Sequence, residues 1–491
     1  MKLTELFQGL YQVKEDLEIK DLSFDSREAG KDSIFFALKG YDHDGHQYIQ
    51  KAYEQGTRVF VVEDVPEELE GAQYFKTKDT RALLSTLSSR FYREPHKELV
   101  MIGVTGTKGK TTTTNIIKTI LDHNDIPTGI IGTMGIFFGD QELKSPNTTP
   151  ESKVIFHALR AMVDAGMKAC VMEVSSGGIQ HGRVKDLHFD HGIFLNLGLD
   201  HVGDREHPTF EDYRNCKAKL FAMSDKSYLN TSDAAFHFMA DHVANTLIEF
   251  GEDAKDYTLL STVLHKEGAH LSQDLTVEYG GESFDFNLPL PGDFNASNAL
   301  ASIAVTHEMG LDFASIQRGL DMVSIKGRFE MFPTEDRLFI IDYAHNGVSL
   351  ETLLKTIRSF KPKRIGILMG CIGGRSHVRR EGICQAIVNH ADFAVLTEDN
   401  PDTEDPKDIL EDMLRYFKDS SMPLQTDPVR SSAVEKLVEA SEPGDILILA
   451  GKGHETYNIV HHQYLPYSDE EELKKALKKR GLTLLRKDNH E

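Results

Sequence analysis

The run Gly103-Val104-Thr105-Gly106-Thr107-Lys108-Gly109-Lys110-Thr111-Thr112 holds the most chemistry in the chain. Glycines let the backbone turn tightly and aim several N–H groups at one anion, and a helix starting there adds the positive end of its dipole. Lys110 can then reach the outer phosphates of a nucleotide, and the Thr111 hydroxyl can ligand Mg²⁺. The spacing departs from the general G-x-x-x-x-G-K-[ST] pattern, because Val104 stands where the first glycine belongs. A Lys- and Thr-rich helix start with no ligand is the competing reading; the apolar run 99–104 before it and the helical pattern 111–123 after it speak against that. Glu173 is expected at the carboxyl end of a strand, where α/β proteins keep their ligands, and His201 follows a further strand-like run. Either alone reads equally well as an ordinary polar residue. Beside a phosphate loop the two suit a second Mg²⁺, and paired cations would neutralise the charge that builds when a carboxylate attacks a γ-phosphate. Lys217, taken by itself, reads as a solvated helical lysine.

These residues need strands and helices to hold them. The 491 residues imply two to four domains, and 40% hydrophobic with 27% charged residues describes a globular chain able to bury a core in each. Three blocks are expected. The first, 1–97, alternates short apolar strands (33–38, 59–62) with helices and ends in the breaker Arg93-Glu94-Pro95-His96. The second, 98–326, holds strands at 99–104, 169–174 and 191–195, a helix in which Ile116, Ile117, Ile120 and Leu121 recur at helical spacing, β-like alternation over 269–288 and a helix over 296–309. The third, 327–491, has apolar runs at 338–342, 364–369, 393–397 and 445–450 between helical patterns, which reads as a parallel Rossmann-like sheet. The charged tail 470–479 reads as a solvated surface helix. A formal charge of -22 argues against nucleic-acid or anionic-membrane partners. Four scattered cysteines, a start unlike a signal peptide and the lack of a bilayer-length apolar stretch point to a cytoplasmic protein.

With the loop, Glu173-Val174-Ser175-Ser176, Asp200-His201 and Lys217-x-x-Leu220-Phe221 in this order, the sequence resembles the muramyl ligases, and among them those that add the third residue of the peptidoglycan stem peptide. Further landmarks are Asp25-Ser26-Arg27, Asp44-Gly45-His46, Asn147-Thr148-Thr149-Pro150-Glu151 and Gly292-Asp293-Phe294-Asn295-Ala296-Ser297-Asn298. In the third block they are Gly327-Arg328-Phe329-Glu330, Asp342-Tyr343-Ala344-His345, Asp399-Asn400-Pro401 and Gly451-Lys452-Gly453-His454-Glu455. The resemblance implies an α/β chain of three domains: a small one for the UDP moiety, a central ATP-binding one with a mostly parallel sheet, and a Rossmann-like one for the incoming amino acid. It implies ATP and Mg²⁺ as cofactors, a monomer, and an acyl-phosphate route on UDP-N-acetylmuramoyl-L-alanyl-D-glutamate. Carried over by position, Ser26 and the segment 40–46 with His43 would face the uridine nucleotide; Thr148, Thr149, Ser175 and Arg183 would hold the muramyl-dipeptide. The loop Gly106 to Thr112 with Lys110, Asn295, Asn298, Arg328 and Asp342 would take ATP. Thr111, Glu173, His201 and a carbamylated Lys217 would serve Mg²⁺. Arg375, Asp399, Asn400, Asp402, Gly451 and Glu455 would line the amino-acid pocket.

The departures from that family fall mainly on the acceptor. Members that take meso-diaminopimelate carry Arg after Asp-Asn-Pro, where it forks onto the distal carboxylate; Asp402 stands there instead. An acid at that point would repel a carboxylate and suit an amine, so L-lysine is favoured and ornithine comes second, with diaminopimelate as the alternative. If Asp402 faces solvent, selectivity lies elsewhere, and Arg379 or Arg380 could meet a carboxylate. Gly177, the long segment 200–208 and His345-Asn346-Gly347 also depart from the usual forms. The competing readings are a folylpolyglutamate- or cyanophycin-type sibling, a P-loop kinase or switch GTPase, and a non-catalytic paralogue.

Overall fold

The computed structural model describes residues 1–40, 43–65, 69–145, 147–199, 203, 207–374 and 377–485. The chain forms two compact units, one of Met1–Leu259, Glu278–Glu282 and Ser297–Gly319, the other of Leu260–Val277, Ser283–Ala296 and Leu320–Glu491.

In the first unit, Asp21–Ser23, Ser33–Phe36, Val59–Val62 and Gln73–Lys76 make a parallel four-stranded sheet in chain order. The two middle strands are buried along their whole length, as uninterrupted apolar runs in a parallel sheet require. Alternate residues serve opposite faces: Ile34, Phe36, Val59 and Val61 pack on Leu3, Leu6 and Leu84, while Phe35, Phe60 and Val62 pack on Ile49 and Ala52.

The main sheet of this unit centres on Val100–Thr105, which lies between Phe189–Phe194 and Ala169–Glu173, parallel to both. Ser224–Asn230 and Thr246–Gly251 extend the parallel run on one side and Thr128–Gly132 on the other. Antiparallel Gly135–Phe138 and Gln141–Leu143 close one end, and at the other Tyr257 and Thr258 pair parallel with Phe250 and Gly251. The helix Lys110–Asp122 buries Ile116, Ile117, Ile120 and Leu121, as its periodicity predicted. A Cβ at Gly319 would stand 2.6 Å from Ile120 Cα, so only glycine lets the helix Phe313–Asp321 come this close. This central topology brings the carboxyl ends of three neighbouring parallel strands to one edge, where α/β folds bind ligands.

The second unit carries a six-stranded sheet ordered Glu330–Pro333, Leu338–Asp342, Ile446–Ala450, Ile365–Cys371, Phe393–Glu398, Leu424–Thr426. All neighbours are parallel except the first pair, so the expected Rossmann-like sheet is present. The tail helix Asp469–Arg480 differs from expectation. Leu473, Ala476 and Leu477, three and four residues apart, are buried in the core against Leu437 and Val438, and only its other faces meet water. Its Asp469 forms a two-pronged ion pair with Arg430 (2.8 and 2.7 Å), and Arg430 also donates to the Ala450 carbonyl at 2.9 Å. No described helix is long and apolar enough to cross a membrane.

Both members of the Arg430–Asp469 pair are about 1% exposed, so removing one partner strands a buried charge. Arg430→Met should lower unfolding free energy by about 3–5 kcal/mol in urea titrations, while Arg430→Met with Asp469→Leu should recover much of the loss. A single variant as stable as the parent would show that water reaches the pair.

Candidate active site

The loop after Val100–Thr105 is held from the neighbouring strand. Asn196 accepts the Thr107 N–H on its carbonyl (3.0 Å) and the Lys108 N–H on its side chain (2.9 Å), and returns its own amide to the Lys108 carbonyl (3.2 Å). Thr107 Oγ1 accepts the Gly198 N–H at 2.9 Å and lies 2.9 Å from the Tyr213 hydroxyl. Gly109 precedes the helix with φ +88°, and a Cβ on it would strike Asn298 Oδ1. No side chain caps that helix start, which leaves its first-turn amides suited to an anion. Lys110 donates to the Gly106 and Thr107 carbonyls (2.8 and 3.3 Å), which sets its ammonium over the loop.

Glu173 is buried at the end of its strand. Its Oε1 accepts from Thr111 Oγ1 and from the Thr133 N–H, both at 2.9 Å, and its Oε2 accepts from Thr133 Oγ1 at 3.0 Å. Thr133 Oγ1 lies 3.1 Å from Thr148 Oγ1. Lys217 corrects the expectation of a solvated lysine: it is 1% exposed, donates to the Gly106 carbonyl at 3.0 Å and to Thr105 Oγ1 at 3.4 Å, and lies over the Tyr213 ring. The cause is legible in the helix Phe210–Ala222, where Tyr213, Cys216, Lys217, Leu220 and Phe221 share the buried face. Among the described residues no three His, Cys, Asp or Glu side chains gather as a metal cage. The Thr111 hydroxyl and Glu173 carboxylate nonetheless fit a hard divalent cation that takes its other oxygens from phosphate and water. His201 lies outside the described residues. Asn298 accepts from Thr113 Oγ1 (3.3 Å), and its buried Nδ2 makes no hydrogen bond with any described residue. Asn295, three residues earlier on the helix Asp293–Glu308, donates to the Pro291 carbonyl at 3.1 Å.

Beside Glu173, Thr149 donates to the Glu173 carbonyl (2.8 Å) and accepts the Ser175 N–H (2.9 Å), while Arg183 donates to the Thr149 carbonyl (3.0 Å). Thr148, Thr149, Ser175 and Arg183 are therefore brought together. In the N-terminal sheet region Ser26 is buried in the turn after Asp21–Ser23; His43 is exposed, with its carbonyl accepting the Gly40 N–H at 2.8 Å.

In the second unit Asp399, Asn400, Gly451 and Glu455 converge on a residue that sequence reasoning did not assign, Lys452. Its buried ammonium donates to Asn400 Oδ1 (2.7 Å) and the Tyr457 carbonyl (2.9 Å), and pairs with Asp399 (3.1 Å) and Glu455 (3.4 Å). Asn400 also donates to Glu455 at 2.9 Å, and a Cβ on Gly451 would meet Asp399 Oδ2 at 2.8 Å. Burial pushes the Glu455 carboxyl up, and Lys452 opposes it. Asp402 turns to the hairpin Tyr457–Val460/Gln463–Pro466: it accepts the His462 N–H at 2.7 Å, lies 3.1 Å from the His462 ring, and exchanges backbone bonds with Ile459 and His461. Asn400, Asp402, His461 and His462 all take left-handed φ of 45–62°. Arg380 is spent on Glu404 and Asp412, and Arg379 donates to the His345 carbonyl. Arg375 lies outside the described residues. Arg328 stacks 4.4 Å over Tyr343, and Asp342 accepts the N–H groups of Phe329 and Ala344, both at 2.7 Å. Burial pushes the Asp342 carboxyl up against the pull of Arg328.

Asn196, Thr133, Tyr213 and Lys452 are thus working parts that the motifs did not reveal. Lys452 at least stands inside the landmark Gly451–Glu455 and Tyr213 four residues before Lys217, whereas Asn196 and Thr133 carried no spacing signal. Asn196→Ala removes both loop bonds made by its side chain and should weaken nucleotide binding about thirtyfold, at roughly 1 kcal/mol per lost bond. Gly109→Ala should weaken it at least as much. Titration with ADP reads both, and unchanged affinity in either would mean that the loop is held by other contacts.

Comparisons with known proteins identify the family. The Mur ligase family catalytic domain matches residues 18–92, the Mur ligase middle domain 104–306, and the Mur ligase glutamate ligase domain 327–453. A UDP-N-acetylmuramoyl-L-alanyl-D-glutamate–2,6-diaminopimelate ligase of Clostridium perfringens is 33% identical over 486 residues, covering 96% of this chain and 98% of that protein. One of the same name from Geobacillus kaustophilus is 35% identical over 480 residues, covering 94% and 96%. A solved structure of a ligase of that name superposes with a TM-score of 0.70 at 25% identity over 98% of this chain and all of that one. A MurF ligase from Thermotoga maritima, solved with ADP, shares the fold at a TM-score of 0.64 and 19% identity, over 94% of this chain and 98% of that one. The chain belongs to the Mur ligase family of ATP-dependent amide-bond-forming ligases.

Proposed function

We propose that this ligase joins a diamino acid to the D-glutamyl γ-carboxylate of UDP-N-acetylmuramoyl-L-alanyl-D-glutamate, with 2,6-diaminopimelate as the acceptor. The observation that carries the reading is the near full-length match to relatives whose names state that reaction. Residues 1–97 would serve the UDP moiety, 98–326 ATP, and 327–491 the amino acid, in a cytoplasmic monomer. A carboxylate becomes an acyl donor only when its oxygen is turned into a phosphate leaving group, so ATP is spent on that oxygen and the amine then displaces phosphate. Lys110 over the loop would steady the transferred phosphoryl group, and Thr149, Ser175 and Arg183 would hold the dipeptide beside it. Thr111, Glu173, His201 and a carbamylated Lys217 are the residues that would hold Mg²⁺, which supplies charge neutralisation at the phosphates.

L-Lysine, favoured on the residue type at Asp402, is the second reading. Its basis is weaker now, because the Asp402 carboxylate is already engaged by the His462 N–H and ring. The relatives' names point to diaminopimelate instead.

The deciding assay supplies ATP, Mg²⁺ and the UDP-dipeptide with meso-diaminopimelate, L-lysine or L-ornithine in turn, and reads phosphate release and product mass. Diaminopimelate should turn over fastest. Preference for L-lysine would restore the Asp402 argument, and no turnover with any of the three would sink the proposal. For the carbamate, enzyme depleted of CO₂ should lose activity and regain it with bicarbonate. Activity indifferent to both would leave Lys217 as an ammonium.

A further inference from the structure

Arg81, in the first turn of the helix Thr80–Phe91, belongs to none of the residue sets named above. Its Nη1 donates to the Lys39 carbonyl at 2.5 Å. Its Nε stands 3.5 Å from Glu151 Oε1, is shut off from solvent and makes no hydrogen bond with any described residue. Arg183 holds the same Glu151 oxygen, from Nε at 3.0 Å and Nη2 at 2.9 Å. Two guanidiniums therefore share one carboxylate oxygen, and the other, Oε2, is buried without a hydrogen bond to any described residue. His181 registers the surplus: burial first, then the charges of Arg81 and Arg183, depress its basicity.

One carboxylate neutralises one arginine, and Glu151 meets two, Arg81 from the helix Thr80–Phe91 and Arg183 from beyond the helix Ser176–Gln180. A second one leaves an uncompensated cation with its side chain only 20% exposed, a desolvation cost with no return unless an anion comes to it. Guanidinium is the group that phosphate oxygens engage best, through a fork of N–H donors, and here a single hydrogen bond is committed. The placement says which phosphate. On one side Arg81 is bonded to Lys39, next to the 40–46 segment proposed to face the uridine. On the other it meets Glu151, which also holds Arg183, in the set proposed to face the muramyl-dipeptide. In a UDP-linked substrate those two ends are joined through the diphosphate.

We infer that Arg81 binds the diphosphate of the UDP-linked substrate. This rests on the function proposed above and adds to it a residue that reads the nucleotide's phosphates and not its base or its peptide.

Calorimetric titration of the full chain with UDP and with uridine separates the contributions. The wild-type protein should bind UDP more tightly than uridine. Arg81→Gln should cost about tenfold or more in UDP affinity, the scale of one charged phosphate contact, and leave uridine within about a factor of two. In turnover, KM for the UDP-dipeptide should rise by a similar factor while KM for ATP holds. Equal weakening of UDP and uridine would make Arg81 a structural tie only, and unchanged UDP affinity would overturn the role outright. Should Arg81→Gln fail to fold, Arg81→Lys poses the same question. It keeps the charge and loses the fork, so a several-fold loss for UDP alone supports the role, and no loss or an equal loss for both overturns it. A wild-type protein that binds neither UDP nor uridine would overturn the proposed function itself, which sets that failure apart from the failure of Arg81.

Discussion

A carboxylate closed off from water is tolerable only when its oxygens are occupied, and the first unit is arranged around meeting that demand at Glu173. The Thr111 hydroxyl ties it to the helix of the phosphate loop, and the Thr133 amide and hydroxyl tie it to the end of the neighbouring strand. Gly132 lacks the Cβ that would collide with it. Its own carbonyl accepts from Thr149, which anchors Ser175 in turn. The phosphate loop and the Thr149–Ser175 cluster are therefore both referenced to one residue, so the distance between them is set by a single strand end.

In the second unit the signs are reversed. Lys452 is the buried charge, and the acids Asp399 and Glu455 with the amide of Asn400 are its solvation shell. Four neighbouring non-glycine residues accept left-handed backbones there, each at a cost on the order of 1–3 kcal/mol, and such strain persists only where surrounding bonds over-determine it. The reciprocal backbone bonds of Asp402 with Ile459 and His461 are that over-determination. The loop carrying Asn400 and Asp402 and the hairpin Tyr457–Val460/Gln463–Pro466 are thus locked together.

What the sequence revealed follows from range. The strand, Gly-rich turn and helix around Lys110 are local, so apolar runs and glycines were enough to draw them. The strands at 338–342, 393–397 and 445–450 were legible for the same reason. Lys217 was misread because a charge at one position outweighed the three-and-four spacing of Tyr213, Cys216, Leu220 and Phe221 around it. The helix Asp469–Arg480 was misread likewise, its many charges hiding Leu473 and Leu477. Asn196 grips the loop from 88 residues away, and Asp402 meets a histidine 60 residues on. No periodicity within either segment encodes those pairings.

Among the described residues five buried cations stand against six buried carboxylates, so burial hides almost none of their acidic excess. Nucleotides and nucleotide-linked substrates must then cross a repelling exterior to reach a cationic loop. Added salt shortens the reach of that repulsion, to about 10 Å near 0.1 M, but it also weakens the grip of Lys110 on phosphate. Ionic strength therefore pushes entry and retention in opposite directions.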